Sequence, residues 1–323
     1  MKMLDEEHDR LPQPETDHNP YNLGSIKVHE RTKGHGSTKR HNVVIVGLPL
    51  TVNASTATVV ANAKSTSRQL RFGLLVGIGG GVPTRTDEGP IRLGHVVVSK
   101  PTGQHSGAVQ YDHGKAEAGE FQRTGFLAPP PNVLLAAAGR LSVARRRADE
   151  YPLLAHLKRI NTSKKNLRHY KHPGADTDHL YEAGYVHSDR KLSCQKCECD
   201  SSRRVTREAE GSDEEDEDDD DGDVKIVVHR GTVASGEKVM RNGLQRDRLT
   251  KEYGVLCFEM EAAGALNDFP CLVIRGISDY SDSHKNDKWQ GYAAAVAAAY
   301  ARELFMHMPV DEVKQLQIAQ SSR

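Results

Sequence analysis

Short apolar runs without alternation recur along this chain. Residues 43–46 (VVIV), 74–76 (LLV), 96–98 (VVV), 226–228 (IVV) and 272–274 (LVI) each stop at glycine or a polar residue. A strand with one wet face alternates; a run that does not is a strand buried on both faces. Helix-length stretches lie between them. STATVVANAK (55–64) opens on Ser55 as an N-cap and holds small residues, and NVLLAAAGRLSVARRR begins near Asn132. VMRNGLQRDRLTKEYG closes on Gly254, and YAAAVAAAYARELF has strong helix propensity. The pattern predicts an α/β domain, a three-layer α/β/α sandwich around a largely parallel or mixed sheet. Ligands of such sheets bind beyond the carboxyl ends of the strands.

The rhythm does not fill all 323 residues. Residues 1–20 read as a polar segment, 21–308 as the domain, and 309–323 as a polar tail expected to fray. Within the domain, 140–225 reads as an insertion, and its acidic part, 210–223, as a solvated, disordered linker. Nine consecutive acids, Asp213 to Asp221, make the formal net charge zero. Without them the rest is +9, scattered in loops and tails, so no basic face argues for nucleic acid. No stretch approaches the roughly 18 apolar residues of a membrane helix, and MKMLDEEHDR lacks the apolar core of a secretion signal. Five cysteines, an odd number, make no disulfide framework. The expectation is a cytoplasmic or nuclear protein without membrane or nucleic-acid partners. Cys257 and Cys271 read as core. Cys194-x-x-Cys197-x-Cys199 has His187 as the nearest fourth ligand, but the irregular spacing in a polar insertion reads as surface thiols, and no metal is expected.

Three strand ends hold candidate chemistry. Gly77-Ile78-Gly79-Gly80-Gly81 follows an apolar run and reads as a tight turn whose backbone N–H groups can face an anion. It is neither a Walker loop nor a dinucleotide fingerprint. Phe258-Glu259-Met260-Glu261 sets two carboxylates at the entry to an Ala-rich helix, where a buried acid is paired or functional. Arg275-Gly276-Ile277-Ser278-Asp279 ends a buried strand on an acid placed for general acid work. Strand end, helix and strand end bring Glu261 and Asp279 toward one crevice.

At these residues the chain resembles the purine and uridine phosphorylase superfamily, and within it the fungal nucleoside phosphorylase-domain proteins. HNVVIVGLP, RFGLLVGIGGGVP, IRLGHVVVSKP, GTVASGEKVM, GVLCFEMEAAG and FPCLVIRGISDYSDSHKNDKWQGY carry the likeness. It implies a three-layer sandwich with a twisted mixed sheet, assembled as a homo-oligomer. It implies that Glu261, with Met260 and Glu259, holds the ribose hydroxyls, and that Asp279, beside Ser278, protonates the purine N7. Val239 and Met240 would flank the base, and Gly79 and Gly80 would lie near the ribose and the phosphate or water nucleophile. No cofactor is implied beyond phosphate as a co-substrate.

Three departures accompany the likeness. The family's first strand, with its acid, is missing, which should leave a sheet edge open. Ile78 stands where phosphorylases often carry a phosphate-binding Ser. His95 stands where the family usually has Asp, and the 27–40 loop is longer than the usual hairpin turn. The resulting expectation is a nucleoside phosphorylase or nucleosidase that cleaves the N-glycosidic bond of a purine nucleoside. The alternative is a degenerate, non-catalytic nucleoside-sensing or interaction module.

Overall fold

A computed structural model describes residues 2–32, 35–148, 151–189, 191–207 and 226–316. The acidic run at 210–223 and the last seven residues of the tail lie outside them. Apart from two short two-stranded ribbons, the strands are β1 (Glu6–His8), β2 (Tyr21–Thr32), β3 (His35–Val46), β4 (Gly73–Gly81), β5 (Val96–Ser99), β6 (Ala108–Gln110), β7 (Val228–Ser235), β8 (Val255–Glu259) and β9 (Cys271–Asp279). The helices are α1 (Asn53–Thr66), α2 (Asn132–Arg145), α3 (Pro152–Leu157), α4 (Gly243–Tyr253), α5 (Ala262–Leu266), α6 (Gln290–Met306) and α7 (Val310–Gln315).

The central sheet is mixed and runs β8-β4-β9-β5-β7-β6. β9 is parallel to β4 and antiparallel to β5, while β7 is parallel to β5, β6 and β8. The β7–β8 pairing closes the sheet on itself, which a flat three-layer picture does not anticipate. A register shift between Thr232 and Val233 makes this possible: β7 pairs with β5 before it and mainly with β6 and β8 after it.

The apolar runs account for the core. Val96, Val97, Val98, Leu272, Val273 and Ile274 are all fully buried. α6 packs on β9 and β4, α2 and α3 pack on α6, and α1 packs on α5. At Gly276 a Cβ would collide with the carbonyl oxygen of Ala293, so strand and helix backbones meet there directly. Gly254 ends α4 in the left-handed conformation, φ 63°, as the sequence predicts. Cys257 and Cys271 are core residues, and burial lifts both thiols above their ordinary range.

Four expectations need correction. Residues 43–46 are not in the central sheet: β3 pairs along its whole length with β2, which also takes β1, in a separate antiparallel sheet, and the four residues are only half-buried. The glycine run is not a turn but the last five residues of β4. The polar tail is not wholly frayed, because Val310–Gln315 is helical and Val310 is buried. The loop expected at 27–40 is instead the two arms of the β2–β3 hairpin, with strand running to Thr32 and resuming at His35. Within the insertion, Leu141, Leu153 and Leu180 join the main core.

β4 has a partly unpaired edge. β8 pairs with β4 only at Gly80 and Gly81, while β9 covers the other side of β4 from Gly73 onward. Leu74 and Leu75 are half-buried and Val76 is 38 % exposed, an edge position within a run that otherwise reads as interior.

Candidate active site

The glycine strand β4 organises the site. β8 and β9 flank its end, with Phe258 opposite Gly80 on one side and Asp279 opposite Gly80 on the other. A Cβ on Gly77 would collide with Arg275 Nη1, and one on Gly79 would sit 3.3 Å from Arg275 Cβ. At Gly80 it would collide with Ser281 Oγ and lie 2.8 Å from Asp279 Oδ1. Successive strand residues face opposite ways, so Arg275 packs on one face of the run and Asp279 with Ser281 on the other. The register shift between Ile277 and Asp279 turns the acid to that second face.

Arg275 holds the two glutamates. Its Nη2 lies 2.5 Å from Glu259 Oε2 and 3.0 Å from Glu261 Oε2, and all three residues are buried. Glu259 also accepts from the backbone N–H groups of Glu261 at 3.0 Å and Ala262 at 2.9 Å. It therefore caps α5, where the N–H groups of the first turn lack helical partners. Glu261 differs. Burial raises its carboxyl above the ordinary value; Arg275 pulls it back, and the charge on Glu259 adds to the rise. Asn53 and Ser235 complete this end: Gly264 N–H donates to Asn53 Oδ1 at 3.0 Å and Ala263 N–H to Ser235 Oγ at 3.0 Å.

Asp279 has its own donors. Ser278 Oγ donates to Oδ2 at 2.9 Å, Ser281 N–H to Oδ1 at 2.9 Å, and the Lys285 ammonium also reaches Oδ2. Asp279 is 4 % exposed. Ser281 bends the chain behind it with φ 55°, a left-handed conformation uncommon for a non-glycine residue, and its buried Oγ has no hydrogen-bond partner.

The phosphorylase superfamily model matches residues 166–305, the stretch holding Glu259, Glu261, Arg275 and Asp279. Over these residues the chain matches the phosphorylase superfamily. A nucleotide-binding leucine-rich repeat (NLR)-like protein of Hyaloscypha variabilis is 39 % identical over 94 % of the chain, which spans 27 % of that protein's length. The ATP nucleosidase Cap17 of Escherichia coli is 35 % identical over 27 % of the chain and 19 % of its own. The chain thus spans about a quarter or less of these relatives. Among solved structures, the 5'-methylthioadenosine/S-adenosylhomocysteine nucleosidase of Neisseria meningitidis aligns with a TM-score of 0.50 at 14 % identity, covering 94 % of this chain and 91 % of that one. This is a likeness of fold.

The other expected residues are spread more widely. Met260 is half-buried beside Glu261. Met240 is core, packed with Tyr111 and Phe258, whereas Val239 is 51 % exposed. Ser278 is buried on Asp279, and the Ile78 carbonyl faces Arg275 Nη1 at 3.5 Å. His95 is paired: its Nδ1 lies 3.0 Å from Nε2 of His229, whose Nδ1 meets Thr86 Oγ1 at 2.7 Å. Cavities of about 220 and 520 Å³ share Gln104, His105 and Arg123 in their walls, not Glu261 or Asp279, whose carboxylates are engaged by Arg275 and Lys285.

Sequence reasoning left Arg275, Lys285, Asn53 and Ser235 unassigned. Arg275 was the most findable. A guanidinium inside an apolar strand has to be paired, and the buried acids of the preceding strand are its natural partners.

Proposed function

We propose that the domain cleaves the N-glycosidic bond of a purine nucleoside. The observation that supports this most is the pair of buried carboxyl clusters on the two strands that flank the glycine end of β4. Glu261, fixed by Arg275, accepts hydrogen bonds from the ribose 2′ and 3′ hydroxyls. Asp279 delivers a proton to N7 as the C1′–N9 bond breaks, so that a neutral base leaves an oxocarbenium-like sugar. Lys285 and Ser278, both donors to Oδ2, orient that carboxyl. The cleaved sugar is captured by water, giving free ribose, or by phosphate, giving the sugar 1-phosphate. Ile78 offers no hydroxyl in the glycine run, which favours water. A carboxyl near N7 helps only a purine, which favours that base.

A second reading is a nucleoside-sensing module that binds without cleaving. It is favoured by the 39 % identity to an NLR-like protein of which this chain spans a quarter, and by the open edge of β4. Purified protein incubated with adenosine, inosine, guanosine, methylthioadenosine and ATP, with and without phosphate, separates the two. Free base without phosphate supports hydrolysis, and base only with phosphate supports phosphorolysis. Binding with no release supports the sensing module.

A further inference from the structure

The segment from Asp178 to Arg207 lies against the loop that follows Asp279. Tyr280 OH donates to Asp178 Oδ1 at 2.7 Å, and Arg207 Nη2 pairs with Asp178 Oδ2 at 3.1 Å. The Tyr181 ring stacks on His284 with centroids 4.0 Å apart, and His187 N–H donates to Ser283 Oγ at 2.9 Å. These contacts hold Tyr280, Ser283 and His284, which bracket the turn leading to Lys285.

Inside this segment a ring nitrogen of His187 and the Sγ atoms of Cys194 and Cys199 all lie within 4.8 Å of one another. Tetrahedral zinc with Zn–S near 2.3 Å sets its ligand atoms about 3.5–3.8 Å apart, so small side-chain rotations close the set. His187 is only 6 % exposed, and its buried Nδ1 has no hydrogen-bond partner. A buried polar atom without a partner is rare enough to need a reason, and a metal bond is one. The backbone is shaped for convergence: Cys199 N–H donates to the Cys194 carbonyl at 3.0 Å, and Glu198 turns the chain with φ 50°. Cys197 sits three residues after Cys194, a C-x-x-C spacing found at zinc sites, but its Sγ is not among the three atoms that converge. Its thiol makes only a long contact, 3.7 Å, to the Asp189 carbonyl. All three cysteines are free, as expected, and half-buried.

We propose that His187, Cys194 and Cys199 bind one zinc ion, with the Cys197 side chain turning in as the fourth ligand, and that the ion fastens the 178–207 segment onto the loop behind Asp279. The ligand set is three thiolates and one imidazole, a closed structural type with no position left for substrate. Binding releases the protons of the three thiols and involves no redox step.

The test uses the full chain, purified in a non-chelating reductant. Elemental analysis is expected to give about one zinc per chain, and cobalt(II) replacing it to show a thiolate-to-cobalt charge-transfer band. Cys194→Ser, Cys197→Ser and Cys199→Ser are each expected to weaken zinc binding at least ~10-fold in competition with a chromophoric chelator. Removing zinc from the wild-type chain should lower its Tm, and adding zinc back should restore it. This last readout needs no variant to fold. The proposal is overturned by wild-type protein that neither contains zinc nor gains Tm from it, by a Cys194–Cys199 disulfide in its place, or by a Cys194→Ser/Cys199→Ser double variant that binds zinc as tightly as wild type. None of these outcomes depends on nucleoside cleavage.

Discussion

Arg275 is the charge on which both glutamates depend. Replacing it with Met leaves two carboxylates buried without a counter-charge, a loss of about 3–5 kcal/mol. Chemical denaturation would read this as a lower midpoint at unchanged slope. A stability within error of wild type would mean that the glutamates are not held by this pair. Asp279→Asn keeps the shape and the Ser281 contact but removes the acid. Base release is expected to fall about 10²–10⁴-fold with nucleoside binding retained, and an unchanged rate would remove Asp279 from the chemistry. Both acids were legible from motif and strand-end position. Arg275 stood in the same quoted motif, yet its role depends on a strand sixteen residues upstream, and no local pattern names that partner.

At the scale of elements, β4 shows why glycine runs mislead. Gly77 to Gly81 look like a turn because glycine permits one. They are a strand because Arg275, Asp279 and Ser281 occupy the space their side chains would fill. Gly80→Ala is accordingly expected to cost about 1–3 kcal/mol by overpacking and to reduce turnover by displacing Asp279. Thermal melts and steady-state kinetics would show both, and a silent substitution would contradict the packing. The run at 43–46 misled in the other direction. Its residues are as apolar as those of β9, but the long hairpin partner β2 captures them before the central sheet can. The helix α6 carries a separate, pH-dependent element. Burial alone would push Glu303 up, but hydrogen bonds and charge from His156 and His307, at 2.6 and 3.1 Å, hold its carboxyl down at about 2. A depressed carboxyl stabilises the fold above its ordinary value of 4.5, and that contribution disappears as pH falls from 4.5 toward 2. The Tm gap between wild type and Glu303→Gln should therefore close over that window. A gap that stays constant, or widens, would contradict the pairing.

For the whole molecule, the order of apolar runs and helices was enough to read a mixed α/β domain, and the motifs were enough to read its superfamily. Sheet closure was not legible, since it depends on β7 changing partners at a single register shift. The edge position within β4 was not legible either, since Leu74, Leu75 and Val76 read as interior while Val76 is 38 % exposed. Similarity to an NLR-like protein of which this chain spans only 27 % makes cleavage, rather than binding, the claim most in need of a test. The direct measurement is chromatographic detection of free base from purified chain and purine nucleosides, with and without phosphate, beside Asp279→Asn. The account predicts base release by the wild-type chain, without phosphate, and loss of release in the variant. Wild-type protein that binds these nucleosides as well as Asp279→Asn does, yet releases no base in either condition, would contradict it.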